Sequence, residues 1–208
     1  MIRSYRTTTQ LVDRVRLLGG HGVALTGHHE ILLPLLAGLV LDALGEPPAP
    51  CDSGSKLVAR GELAALGAAL RARGKRVVFT NGCFDLLHVG HTRYLRQARD
   101  LGDALVVGLN TDAGVRRLKG ETRPLVCEAE RAEVLASLAC VDYVTLFDEA
   151  LPSETIAALR PDLHVKGGDY TTEQLPEAPL VLAYGGEVRI LPLAPGRSTT
   201  ALAGRLAE

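Results

Sequence analysis

From residue 56 onward the chain alternates short β-branched runs with stretches of helical periodicity, and this alternation restricts the fold more than any other feature. KRVVFT (75–80), DALVVGL (103–109), DYVTLF (142–147), DLHVK (162–166) and EVRILPL (187–193) are short runs rich in Val, Ile and Phe, and they read as strands. Between and around them, RGELAALGAALRARG (60–74, closed by Gly74), VGHTRYLRQARDLG (89–102), the stretch 121–140 with Glu128 and Glu130 near its helical start, SETIAALR (153–160) and STTALAGRLAE (198–208) read as helices. Parallel neighbours need a crossover connection of this length, so the pattern predicts an α/β, Rossmann-like parallel sheet with helices on both faces. Ligands of such sheets bind beyond the carboxyl ends of the strands, near the point where strand order reverses.

The boundary of that unit lies in GEPPAPCDSGSK (45–56), where Pro, Gly and Ser crowd together. We expect one α/β domain over 56–208 and a small helical N-terminal appendage over 1–50, serving packing or dimerisation. The segment 27–45 of that appendage is apolar nearly all round. His21, His28, His29 and Cys51 are metal-capable on paper, but adjacent histidines rarely share an ion. Composition narrows the partners. Lys plus Arg number 23 against 24 Asp plus Glu, and aromatics are 4% with no Trp. That balance argues against a broad nucleic-acid footprint and against base-stacking platforms. The longest apolar stretch, 31–41, is too short to span a bilayer and contains Pro34 and Gly38, so no membrane partner is expected. Four cysteines at wide spacings and no apolar leader in residues 1–20 predict a cytoplasmic protein.

The loop TNGCFDLLHVGH (80–91) is the richest in chemistry. Gly82 suits a tight turn and close approach of a ligand to the backbone. His88 and His91 are three apart at a helix start, so both rings can face one side, with Gly90 leaving room for a phosphate between them. A helix start offers amide hydrogens and partial positive charge to an anion. Alone, H-x-x-H is more often structural than functional, and Asp85 is the one further metal-type ligand nearby. A strand, an Asn-Gly turn and H-x-G-H opening a helix reverse that weighting. Two further strand ends carry VRRLKGETRP (115–124), the densest local positive charge, and VKGGDY (165–170). Arg116 and Arg117 read as solvated. Ser198 to Thr200 suit the cap of the last helix.

FTNGCFDLLHVGH, followed in order by LGDALVVGLNTD, RLKGETRP, VKGGDY and GRSTT, resembles the H-x-G-H nucleotidyltransferases. It is most similar to the D-glycero-β-D-manno-heptose 1-phosphate adenylyltransferases, over roughly 56–207. The resemblance implies transfer of AMP from ATP to a sugar 1-phosphate, with Mg²⁺ accompanying the triphosphate and no dedicated protein metal ligand. It implies His88, His91 and Lys119 as catalytic groups. It further implies a nucleotide site drawn from Thr80, Asn81, Gly82, Cys83, Phe84, Asn110, Lys166, Gly168, Asp169, Arg197, Ser198, Thr199 and Thr200. Asp85 and Arg123 would face the sugar phosphate, although a loop-building role suits Asp85 equally. A homodimer is expected. The same chemistry on CTP and glycerol phosphate or another polyol phosphate is the alternative, and an idle nucleotide-binding module a third reading. The absence of G-x-G-x-x-G after the first strand and of a P-loop argues against dehydrogenase and kinase readings.

Overall fold

The computed structural model describes residues 53–168 and 171–192. The expected appendage, the residues Asp169 and Arg197 to Thr200, and the expected last helix lie outside them. Five strands form one sheet: β1 (Val77–Gly82), β2 (Ala104–Asn110), β3 (Tyr143–Phe147), β4 (Leu163–Gly167) and β5 (Glu187–Leu191). The order is β3-β2-β1-β4-β5 and every pair is parallel. The chain steps outward from β1 to β3, then restarts beside β1 with β4. The reversal point therefore lies between the carboxyl ends of β1 and β4.

The helices are α1 (Leu63–Ala72), α2 (Val89–Arg99), α3 (Asp112–Lys119), α4 (Glu128–Ala136), α5 (Ser153–Leu159) and α6 (Ala178–Ala183). Because side chains alternate across each strand, the sheet feeds two cores. Val78, Leu105, Val107 and Val165 pack with Tyr94, Leu95 and Ala98 of α2 and Leu135 of α4. Val77, Phe79 and Val106 pack with Leu63 and Leu70 of α1, Ile156 and Leu159 of α5 and Val181 of α6. β1 and β2 are covered on both faces, which is why their sequences are near-continuous apolar runs.

Two helices depart from the sequence reading. α3 occupies much of the basic stretch that reads only as a cluster of positive charge, and α6 lies between the fourth and fifth strands, where the pattern assigns no helix. α3 is started by Thr111, whose Oγ1 accepts from the Gly114 amide at 3.1 Å, and it stops at Gly120 with φ +94°, a conformation that favours glycine. In α6 a proline fills the first turn, where no amide donor is required.

Register is set at the amino ends by three aspartates, each one residue before a strand. Asp103 accepts from the Arg76 amide at 2.8 Å, Asp162 from the Val77 amide at 2.7 Å and Asp142 from the Leu105 amide at 2.7 Å. Each carboxylate belongs to one strand's approach and bonds the start of its neighbour, so a slip would cost a charge-assisted hydrogen bond. Elsewhere, α1 and α5 approach so closely that a Cβ on Gly67 would collide with the Leu159 carbonyl oxygen. Gly67→Val should therefore destabilise the domain by about 1–3 kcal/mol, read as a lowered urea midpoint with unchanged slope.

Candidate active site

The site grows from the carboxyl end of β1. The sequence suggests a turn at Asn81-Gly82, but the strand runs through Gly82 and the turn comes two residues later, at Phe84 with φ +43°. A Cβ at Gly82 would meet the Phe84 ring at 3.1 Å, so Gly82 serves the close approach of that ring and not a left-handed turn. The chain then passes Asp85 and enters α2.

His88 is the N-cap of α2, and its Nδ1 accepts from the Gly90 amide at 3.1 Å. The Gly90 amide, one of the helix-start donors, is thus already engaged by His88. The same bond fixes the His88 tautomer: with Nδ1 accepting, the neutral ring carries its proton on Nε2. The His88 and His91 rings stack with centroids 3.9 Å apart and planes 21° from parallel, and Phe84 meets His91 edge-on at 5.4 Å. Both imidazoles therefore share one face of the helix start, as their spacing predicts. Burial and the His88 charge, with Lys119 adding to them, hold His91 down to about 4 against an opposing pull from the Leu86 carbonyl. His91 is neutral at pH 7.

Lys119 ends α3, is exposed, and acts electrostatically on both His91 and Cys83, so it belongs to the same neighbourhood. Burial pushes the Cys83 thiol up despite Lys119 and Arg131, which keeps it protonated and a poor nucleophile. Cys83 Sγ lies 3.8 Å from Asn110 Oδ1. Asn110 is buried and sits beneath the loop, not on an open surface. Thr80 is not brought to the site either. It is fully buried, with its hydroxyl 2.7 Å from that of Tyr94, which in turn donates to the Val165 carbonyl at 3.0 Å.

Asp85 and Arg123, expected to face substrate, face each other. Asp85 Oδ2 accepts from Arg123 Nε at 2.5 Å, and Oδ1 accepts from the amides of Leu125 at 2.7 Å and Val126 at 3.1 Å. Asp85 is 4% exposed, and its charge is spent inside the protein. The pair pins the 120–126 loop against the histidine loop, which is the loop-building role open to Asp85 in the sequence. Across the reversal point, Lys166 Nζ donates to Asn81 Oδ1 at 2.8 Å and lies 3.3 Å from Glu177. The adjacent Gly168 has φ +146°, and its amide donates to the Leu191 carbonyl at 3.1 Å.

Sequence reasoning missed Arg131, the side chain that draws the site together. From α4 it donates to the carbonyls of Val126 at 2.9 Å, Cys83 at 2.6 Å and Asn110 at 2.9 Å, and it pairs with Asp112 at 2.7 Å. One guanidinium thus joins the ends of β1 and β2 to the start of α3. An arginine on an otherwise ordinary helix gives no local sign of this. It also missed Glu177 and His164, which are buried beside Lys166. Among the described residues, no group of three or more His, Cys, Asp or Glu side chains is arranged to hold a metal ion. None of their helices is long and apolar enough to cross a membrane.

A sheet that reverses beside a histidine-capped helix is the architecture of a nucleotide-transfer domain, and comparison with known proteins agrees. The family model described as cytidylyltransferase-like matches residues 79–189, more than half of the chain, and the chain belongs to that family. The bifunctional protein HldE of Pelobacter propionicus is 57% identical over 157 residues, covering 76% of this chain and 32% of its own length. That of Caulobacter sp. (strain K31) is 51% identical over 189 residues, covering 84% and 38%. The chain thus spans about a third of the length of the curated relatives it matches. Among solved structures, the lipopolysaccharide core biosynthesis protein from Thermoplasma volcanium GSS1 is 31% identical, covering 58% of this chain and 98% of that one, with a TM-score of 0.48.

Arg131→Met should cost about 3–5 kcal/mol, because it strands three carbonyls and the partly buried Asp112 carboxylate; an unchanged melting curve would refute the stapling role. The His91 ring should titrate near pH 4 in the free protein. Between its ordinary value and 4 the unfolded chain binds a proton that the folded chain refuses, so stability falls as pH drops through that window. His91→Gln should flatten that part of the fall, read from urea midpoints at successive pH values.

Proposed function

We propose that residues 56–208 transfer AMP from ATP to D-glycero-β-D-manno-heptose 1-phosphate, releasing pyrophosphate and ADP-heptose. The stacked His88–His91 pair beside Lys119, at the carboxyl edge of a parallel sheet, carries this reading. Both reactants are anions, so the work of the site is alignment and neutralisation of charge as it moves. A non-bridging oxygen of the sugar 1-phosphate attacks the α-phosphorus in line, a new phosphorus–oxygen bond forms, and the bond to the β-phosphate bridging oxygen breaks. No covalent enzyme intermediate is required.

In this mechanism His88 donates through Nε2 to the triphosphate. His91, neutral in the free protein, gains proton affinity when the polyanion arrives and donates to it as the negative charge shifts to pyrophosphate. Lys119 supplies permanent positive charge, and its exposure on α3 lets it reach the phosphates. The backbone of Asn81 to Phe84 lines the nucleotide's approach, and Lys166 lies across from it. Asp169, Arg197, Ser198, Thr199 and Thr200 complete the nucleotide site by resemblance. Asp85 and Arg123 shape the loop instead of meeting the sugar phosphate. The donor set of the described residues does not fit a resident metal, so Mg²⁺ enters as part of the MgATP substrate. High identity to the bifunctional HldE proteins over this segment, together with the five ordered sequence blocks, supports the adenylyl and sugar assignments. A cytoplasmic homodimer, assembled with the help of residues 1–50, is the setting we propose.

Incubation with MgATP and a panel of sugar 1-phosphates should yield ADP-heptose and pyrophosphate. His91→Ala and Lys119→Ala should each lower turnover by about 10²–10³-fold without loss of fold. Preferred turnover of CTP with glycerol 3-phosphate would replace this reading with the polyol phosphate one, and unchanged pyrophosphate release in His91→Ala would remove the assignment of the site.

A further inference from the structure

Beside the reversal point lie two buried polar residues, His164 and Glu177, that the transfer scheme leaves unused. His164, on β4, is fully buried and stacks on Phe79 of β1 with centroids 5.5 Å apart. Its Nε2 lies 3.3 Å from Glu177 Oε1, and that same oxygen lies 3.3 Å from Lys166 Nζ, which donates to Asn81 Oδ1 at 2.8 Å. Glu177 is only 2% exposed. Burial by itself would push its carboxyl up, but the His164 hydrogen bond and the Lys166 charge outweigh it and hold the group at about 2. Burial lowers His164, so its ring is neutral at pH 7 and donates to Glu177.

The order of this chain has a chemical consequence at its outer end. A lysine ammonium carries donors and no acceptor, so the Asn81 atom facing it has to be the amide oxygen. The Asn81 nitrogen, with two N–H donors, is thereby turned to the opposite side. Were Lys166 to swing away, the amide could rotate and offer its oxygen to an incoming phosphate, which would repel it. What holds Lys166 is the buried carboxylate, and what holds the carboxylate is His164.

We propose that Glu177 is a positioning residue of the transfer reaction: acting through Lys166, it keeps the Asn81 amide oriented with its N–H donors toward the substrate phosphates. The proposal rests on the nucleotidyl-transfer reading for its substrate, and on the relay geometry alone for the orientation of Asn81. A charge placed under the sheet thus serves a hydrogen bond made at its edge.

Glu177→Gln keeps the size of the side chain and removes its charge. We expect the KM for ATP to rise about tenfold with kcat within about twofold, measured well below a melting temperature that loss of the buried charge will lower. Asn81→Ala should show a similar KM rise, and the double variant should be no worse than Asn81→Ala, because both changes remove one interaction. Additive effects, or a kcat loss with unchanged KM, would overturn the relay. A readout free of variants is the side-chain amide signal of Asn81 in the ¹⁵N-labelled full chain: ATP should shift it, and an unmoved signal at saturating ATP would also overturn the proposal. If ATP shifts that signal but no sugar 1-phosphate is adenylylated, the substrate reading fails and the relay stands.

Discussion

The site is assembled by one guanidinium. Parallel strands end in carbonyl groups with no partner on their own chain, and the loops beyond β1 and β2 would splay apart if those groups were left to solvent. Arg131 gathers the Cys83 and Asn110 carbonyls, the Val126 carbonyl and the Asp112 carboxylate from one buried position. Burying a cation is costly unless its donors are satisfied, and here four acceptors surround it. Because Asp112 opens α3 and Cys83 leads to Phe84, the same group sets where Lys119 emerges and where the ring that packs on His91 lies. Glu128, at the start of the helix that carries Arg131, accepts from the Asp112 amide at 2.6 Å and closes the circuit.

On this frame the imidazoles are stacked and half-buried, and burial together with the neighbouring His88 disfavours charge on His91. His91, held neutral in the absence of an anion, is poised to respond to one, since a polyphosphate opposes the influences that keep it unprotonated. The N-cap bond from Gly90 to His88 leaves one ring orientation and one tautomer. Proximity to charge and fixed direction thus come from two separate features of the same short loop: ring stacking for the first, helix capping for the second.

Much of this was legible in the sequence, and for physical reasons. Buried parallel strands read as apolar runs whatever surrounds them, the exposed edge strand β5 still alternates Val188 and Ile190 with charged residues, and the H-x-G-H spacing at a helix start carries its own geometry. What stayed hidden depended on long-range partners. α3 was obscured because VRRLKG reads as a charge cluster, although Thr111 three residues before Gly114 is a capping signal that was there to be used. Asp85 could serve substrate or loop, and only the positions of Arg123, Leu125 and Val126 decide for the loop. Arg131 is 48 residues from Cys83 and 21 from Asn110, separations at which sequence pattern carries no contact information. His164 looked like one more residue of a strand because its partner, Glu177, comes from beyond the next connection.

These pairings determine the electrostatics of the crevice. Asp85 is neutralised by Arg123 and two amides, Asp112 by Arg131, and Glu177 by His164 and Lys166. Among the described residues, no carboxylate lies within ion-pair distance of Lys119. These three carboxylates are thus paired internally, while Lys119 stays exposed. A chain of nearly zero net charge can in this way present a locally positive edge, because buried cations and anions cancel one another beneath it. The acidic residues close to the site are therefore part of how it attracts anions: paired from below, they hold the cations and loops in place without adding a field of their own.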